Sequence, residues 1–103
     1  MLRMKAIRTT VNYDDFESSL KDLSGRARIQ ARIQRLARGN PGDHRNLKKG
    51  VSEMRIDVGP GYRVYYTERE DCTIIILLVG GDKSNQQRDI DLAYALAEQL
   101  QMW

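Results

Sequence analysis

The chain has 103 residues, 41% hydrophobic and 30% charged, with a net charge of +3. Those proportions predict one soluble domain spanning 1–103, with one core. The longest apolar run, Ile74 to Val79, falls far short of the ~18 residues of a membrane span. The single cysteine, Cys72, excludes an internal disulfide and points to a reducing, cytoplasmic setting. Met1-Leu2-Arg3-Met4-Lys5 has no apolar stretch of the signal-peptide kind, so no leader is expected.

The charge is distributed unevenly. Residues 1–25 carry four basic and four acidic side chains, and residues 56–103 carry four basic and eight acidic. Residues 26–55 carry nine basic and two acidic, a local net of +7. Such a concentration calls for a polyanionic partner, nucleic acid first and an acidic protein second, or else is the solvated face of an Arg-rich helix.

Along the chain, Lys5 to Val11 is β-prone through Thr9, Thr10 and Val11. Asn12 then serves as a helix N-cap, with Asp14, Asp15 and Glu17 in the first turn, where the helix dipole favours carboxylates. Tyr13, Phe16, Leu20 and Leu23 form one apolar face, so this helix is predicted to end near Leu23. Ser24-Gly25 breaks the chain before a second helix, about Arg26 to Arg38. Its apolar stripe is Ile29, Ile33 and Leu36, with Arg28, Arg32 and Arg35 in a parallel stripe. Gly39-Asn40-Pro41-Gly42 ends it. Asp43 to Ser52 reads as a polar loop holding His44, Arg45, Lys48 and Lys49.

Glu53 to Glu68 reads as a hairpin turning at Gly59-Pro60-Gly61. With Val58 opposite Tyr62, Ile56 faces Val64 and Met54 faces Tyr66 on an apolar side. Asp57 then faces Arg63, and Arg55 faces Tyr65, on a side with two guanidiniums and a phenol. A slip of one residue would exchange the two sides. Arg69-Glu70-Asp71 turns the chain into Thr73–Val79, whose unbroken apolar pattern marks a strand covered on both faces. Gly80-Gly81-Asp82-Lys83 leaves the sheet. Ser84 and Gln87 have capping-box spacing at the start of a last helix, about Asn85 to Gln101. The expected fold is α+β, in the order β-α-α-β-β-β-α. A small antiparallel-type sheet of four strands packs on the N-terminal helical hairpin, with a C-terminal helix. The second sheet face stays partly open where Arg55 and Arg63 point.

Three features together resemble a known family. They are the element order, the hairpin Met54-Arg55-Ile56-Asp57-Val58-Gly59-Pro60-Gly61-Tyr62-Arg63-Val64-Tyr65-Tyr66, and Leu77-Leu78-Val79-Gly80-Gly81-Asp82-Lys83-Ser84. From Tyr13 to Leu100 the chain resembles the RelE/ParE superfamily of toxins, most closely its HigB-like "addiction module killer" branch. The resemblance implies the toxin of a type II toxin–antitoxin system. The RelE and HigB branches are messenger-RNA endonucleases that usually act on the ribosome; the ParE branch inhibits DNA gyrase without nuclease activity, which is the alternative reading. The partners implied are messenger RNA and the ribosome, and a cognate antitoxin, often with a helix-turn-helix domain.

The implied chemistry is attack by a ribose 2′-oxygen on the adjacent phosphate, which needs no metal or cofactor but needs preorganised cations around the phosphorane. Arg63 matches the family's phosphate-binding arginine in the second hairpin strand, unless Asp57 occupies it. Lys83 matches a basic residue that the ribonuclease members carry, and the adjacent glycines permit close approach of backbone to ligand. Arg55 is a second phosphate ligand or a solvated strand residue. Tyr65 stacks on a base, donates to phosphate, or stacks on Arg55. Lys48 and Lys49 lie near lysines of the family ribonucleases, as phosphate contacts or a base. Gln86 and Gln87 stand at the same mouth for base or sugar contacts, with helix capping the other role of Gln87. The Arg28/Arg32/Arg35 stripe suits ribosomal RNA backbone or an acidic antitoxin segment. His44 matches no catalytic position of the family, and no metal-ligand spacing or phosphate loop is present.

Overall fold

The computed structural model describes residues 4–69 and 71–101. Met1 to Arg3, read above for a leader, and Glu70 of the predicted turn lie outside the described residues.

The elements run β1 (Ala6–Thr9), α1 (Val11–Ser19), α2 (Leu23–Ala37), β2 (His44–Asn46), β3 (Val51–Ile56), β4 (Tyr62–Arg69), β5 (Ile74–Asp82), a 3-10 turn (Lys83–Asn85) and α3 (Gln86–Gln101). The sheet has five strands in the order β1-β5-β4-β3-β2. The α+β class is as expected, but the sheet is mixed: β1 runs parallel to β5 and the other pairs are antiparallel.

The fifth strand lies within the predicted polar loop. β2 and β3 are joined at Lys49-Gly50, with φ of +58° and +72°, and Val51 N–H donates to the Lys48 carbonyl at 3.0 Å. Positive φ at both central residues is the tight hairpin turn whose twist matches that of the strands. A lysine in the first of those positions hides it from composition, which expects Asn, Asp or Gly there.

The helix boundaries also move. Thr10, not Asn12, caps α1, accepting from Tyr13 N–H at 3.0 Å. Asp22 caps α2, accepting from Gly25 N–H at 3.0 Å. The chain therefore breaks at Leu20–Asp22, and Ser24-Gly25 lies inside the first turn of α2. Gly25 is needed there, because a Cβ would stand 2.6 Å from Cε2 of Tyr62, whose hydroxyl donates to Asp22 at 2.8 Å.

Two cores flank the sheet. Tyr13 of α1 and Ile29, Ile33 and Leu36 of α2 pack on Met54, Ile56, Val64, Tyr66, Ile75 and Leu77. On the other face, Ile90, Ala93 and Ala97 of α3 pack on Val51, Tyr65, Leu78 and Val79. A bulge between Tyr65 and Tyr66 sets Leu77 opposite Tyr66 and Val79 opposite Tyr65, and the buried pair Leu78 and Val79 both join the α3 side. β5 continues through the glycines to Asp82, pairing Gly80 with Val64 and Gly81 with Arg63. A Cβ on Gly80 would run into the Phe16 ring, and one on Gly81 into the Asp89 carboxylate. These glycines let α1 and α3 close on the sheet rather than marking its end.

Candidate nucleic-acid interface

The β3–β4 hairpin positions the site. Its loop spans Asp57 to Gly61, longer than the three-residue turn expected, so Ile56 pairs with Tyr62, Arg55 with Arg63 and Glu53 with Tyr65. The register differs by two residues from the expected one. A shift of two keeps every side chain on its predicted face and changes only its partner. Asp57 is thereby no longer the cross-strand partner of Arg63. Among the described residues Arg63 makes no ion pair; its Nη1 donates to the Tyr62 carbonyl at 3.0 Å, and its buried Nε has no acceptor.

Arg55 stands beside it. Its Nη2 meets Asp43 Oδ1 at 2.9 Å, and its Nε is also buried without an acceptor among the described residues. Asp43, Arg55, Asp57 and Arg63 line a cleft of about 250 Å³. Asp43, Arg55 and Asp57 also line a second cleft of about 250 Å³, against Arg28, Arg32 and Arg35 of α2. Lys83 joins at the opposite end. Its N–H donates to the Gly61 carbonyl at 2.8 Å, and a Cβ placed on Gly61 would lie 3.6 Å from Lys83 Cβ and 3.7 Å from Arg63 Nη1. Arg28 and Arg35 are exposed, so a row of cations runs from α2 over the hairpin to the start of α3.

The remaining candidates divide differently. Arg32 is a structural clamp: its guanidinium donates to the carbonyls of Arg55 at 2.6 Å, Pro41 at 3.0 Å and Asp43 at 3.1 Å. Burial, and then the neighbouring Arg35 charge, lower its pKa. Tyr65 cannot stack on a base. It is fully buried beneath α3 and donates to Glu53 Oε2 at 3.0 Å. Burial and the Glu53 charge push its phenol far above the ordinary range.

Gln86 is turned inward, donating to the same Glu53 oxygen at 2.9 Å. Gln87 bonds Asp91 at 3.0 Å and forms no capping box; Asp82 caps the turn instead, accepting from Ser84 N–H at 2.8 Å. Lys48 and Lys49 stand apart from the arginine pair. They form the turn before Val51, and four residues of strand, ~13 Å at ~3.3 Å per residue, separate Val51 from Arg55. Lys48 N–H donates to the Tyr94 hydroxyl at 3.3 Å, and Lys49 pairs with Glu98 over the Tyr94 ring. His44 is held through Nδ1 to the Gly42 carbonyl at 2.9 Å.

Glu53 is the residue that reading the sequence passed over. It is wholly buried, yet it accepts from Arg45 at 2.9 Å, Tyr65 at 3.0 Å and Gln86 at 2.9 Å. Burial alone would raise its carboxyl, but those hydrogen bonds outweigh it and hold the group below the usual carboxylate range. The available signal was a lone acid in the apolar alternation of β3. Asp89 was passed over as well. Burial raises its pKa, and the nearby Arg88 offsets this only in part. Among the described residues no three or more His, Cys, Asp or Glu side chains are grouped to hold a metal ion, and no helix is long and apolar enough to cross a membrane.

The chain is 48% identical over 94 residues to an uncharacterized protein of Haemophilus influenzae, covering 91% of this chain and 94% of that protein. The chain belongs to the family of that Haemophilus protein. No protein-family model matches it. Among solved structures it resembles a substituted form of the Escherichia coli toxin RelE in the free state. The TM-score is 0.65 at 10% identity, over 94% of this chain and 97% of that one. The fold is therefore RelE-like. Within it, Arg28 and Arg35 share a cleft with Arg55 from the α2 side of the sheet, and Arg63 and Lys83 meet near Gly61 before α3.

Proposed function

We propose that this protein is the toxin of a type II toxin–antitoxin pair, of the HigB-like kind, and that it cleaves messenger RNA held along the row of cations. The observation that carries this reading is the pairing of Arg55 with Arg63 across the hairpin, with no carboxylate on Arg63 among the described residues. Like charges placed opposite each other weaken a sheet, so such a pair is best accounted for by an anion that bridges it. Planar guanidiniums on rigid strands suit two phosphate oxygens better than lysines do. The RelE-like fold agrees with this assignment.

In the reaction, the ribose 2′-oxygen forms a bond to phosphorus as the bond from phosphorus to the 5′-oxygen breaks. This yields a 2′,3′-cyclic phosphate and a free 5′-hydroxyl. Arg63 and Arg55 neutralise the charge that builds on the equatorial oxygens, where removal of one donor costs ~10²–10³ in rate. The 2′-hydroxyl proton passes to water, and the Lys83 ammonium, tethered beside Gly61, supplies one to the departing 5′-oxygen. Arg28 and Arg35 extend the contact along the strand, with affinity that falls as salt rises. The site of action is the translating ribosome in the cytoplasm, and the restraining partner is an antitoxin with a helix-turn-helix domain.

Induced expression should arrest growth and leave new 5′ ends inside translated messages, mapped by primer extension. Arg63→Ala should remove both effects. Intact messages in arrested cells, or trapped gyrase–DNA complexes in their place, would overturn the assignment.

A further inference from the structure

Asp43 sits where the proposed phosphate path crosses Arg55. Its Oδ1 lies 2.9 Å from Arg55 Nη2, and it lines both clefts that meet at that arginine. Its backbone is fixed independently of its side chain. The Asp43 carbonyl accepts from Arg32 Nη2 at 3.1 Å and from Arg55 N–H at 2.9 Å, and Arg32 also holds the neighbouring Pro41 carbonyl at 3.0 Å. The carboxylate, by contrast, is 58% exposed and, among the described residues, bonded only to Arg55. It can rotate off Arg55 about its own side-chain torsions while the loop stays in place. Asp57 lines the same two clefts and, among the described residues, pairs with no cation.

We infer that Asp43 is an internal stand-in for a substrate phosphate, occupying Arg55 in the free protein and exchanged for the RNA backbone on binding. This rests on the phosphate path proposed above. The device sets selectivity as well as affinity. An exposed ion pair is weak, so a strand that also engages Arg63, Lys83 and the α2 arginines displaces the carboxylate. A single free phosphate trades one anion for another and gains little.

The test is the binding of a short fluorescein-labelled single-stranded RNA, read by anisotropy at fixed salt. Asp43→Asn should tighten binding ~2–5-fold, as should Asp43→Ala, since both keep the carbonyl that holds the loop. In an Arg55→Ala background that gain should vanish. Asp57→Asn, which relieves only the general negative charge, should give the same small effect with or without Arg55. No gain from either Asp43 change, or an equal gain without Arg55, overturns the inference, while weakened binding by Arg63→Ala leaves the phosphate path standing. Unchanged binding by both Arg63→Ala and Arg55→Ala overturns the path and the inference together.

Discussion

Arg55 and Arg63 stand directly opposite each other on β3 and β4, and among the described residues only Arg55 has a carboxylate partner. Two facing guanidiniums oppose folding, so function and stability should separate at this pair. Arg63→Thr puts a β-branched residue on the strand and removes the repulsion. Urea denaturation should show a gain of about 0.2–1 kcal/mol. RNA cleavage should fall ~10²-fold or more in the same variant. A variant that loses stability and keeps cleavage would contradict the role given to Arg63.

Glu53 joins three elements: Arg45 of β2, Tyr65 of β4 and Gln86 of α3 all donate to it. Glu53→Ala should cost about 3 kcal/mol in urea melts, because it leaves buried donors without an acceptor. Tyr65→Phe should cost only ~1 kcal/mol and leave RNA binding intact, since the phenol faces the core. The native pKa of Glu53 is lowered, so the native state binds fewer protons than the unfolded chain. The stabilisation is therefore present above the ordinary carboxylate pKa, ~4.3, and lost as pH falls through the lower native value. The difference between wild type and Glu53→Gln should narrow at acid pH.

Asp89 has the opposite sign. Burial over Gly81 raises its pKa, so its ionised form opposes folding once pH rises through the native value. Asp89→Asn should raise the melting temperature at pH 7 by about 4–8 °C for each kcal/mol relieved. Below the ordinary carboxylate pKa, ~3.9, the two proteins should converge, because the carboxyl is then protonated in both the folded and the unfolded state. A lower melting temperature at pH 7 would mean that the Arg88 charge and the place of Asp89 in the first turn of α3 outweigh its burial.

Gly80 and Gly81 test why the apolar strand ends in glycines. Gly80→Ala drives a methyl into the Phe16 ring and should cost about 1–3 kcal/mol by thermal or urea melts. Gly81→Ala meets the Asp89 carboxylate and should displace the first turn of α3. Cleavage should then fall more than stability, because Lys83 is carried just before that turn.

The periodic segments were legible because one surface defines each of them. The Ile29/Ile33/Leu36 stripe, the alternation from Met54 to Tyr66 and the apolar run from Ile74 to Val79 took the places their patterns imply. Boundaries were less legible, since caps compete locally: Thr10 and Asp22 lay a few residues from Asn12 and Ser24 and made the better bonds. β2 escaped because three polar residues, His44, Arg45 and Asn46, form an edge strand through pairing with β3 alone. The resemblance to RelE-like toxins pointed to the fold that the structural comparison shows.

The amino-acid order by itself determined the faces of the hairpin, because alternation survives a register change of two residues. It determined a basic middle segment and the residues available to an anion. It did not determine which of those residues meet. Partnership depends on loop length and on what the helices bury. A five-residue loop placed Arg55, not Asp57, opposite Arg63. The packing of α3 withdrew Tyr65 and Gln86 into the core, the tight Lys49-Gly50 turn carried the lysines to the far end of β3, and the fold of 40–43 set Asp43 on Arg55. Side-chain identity is local, whereas proximity between distant residues exists only once the sheet has closed under its helices.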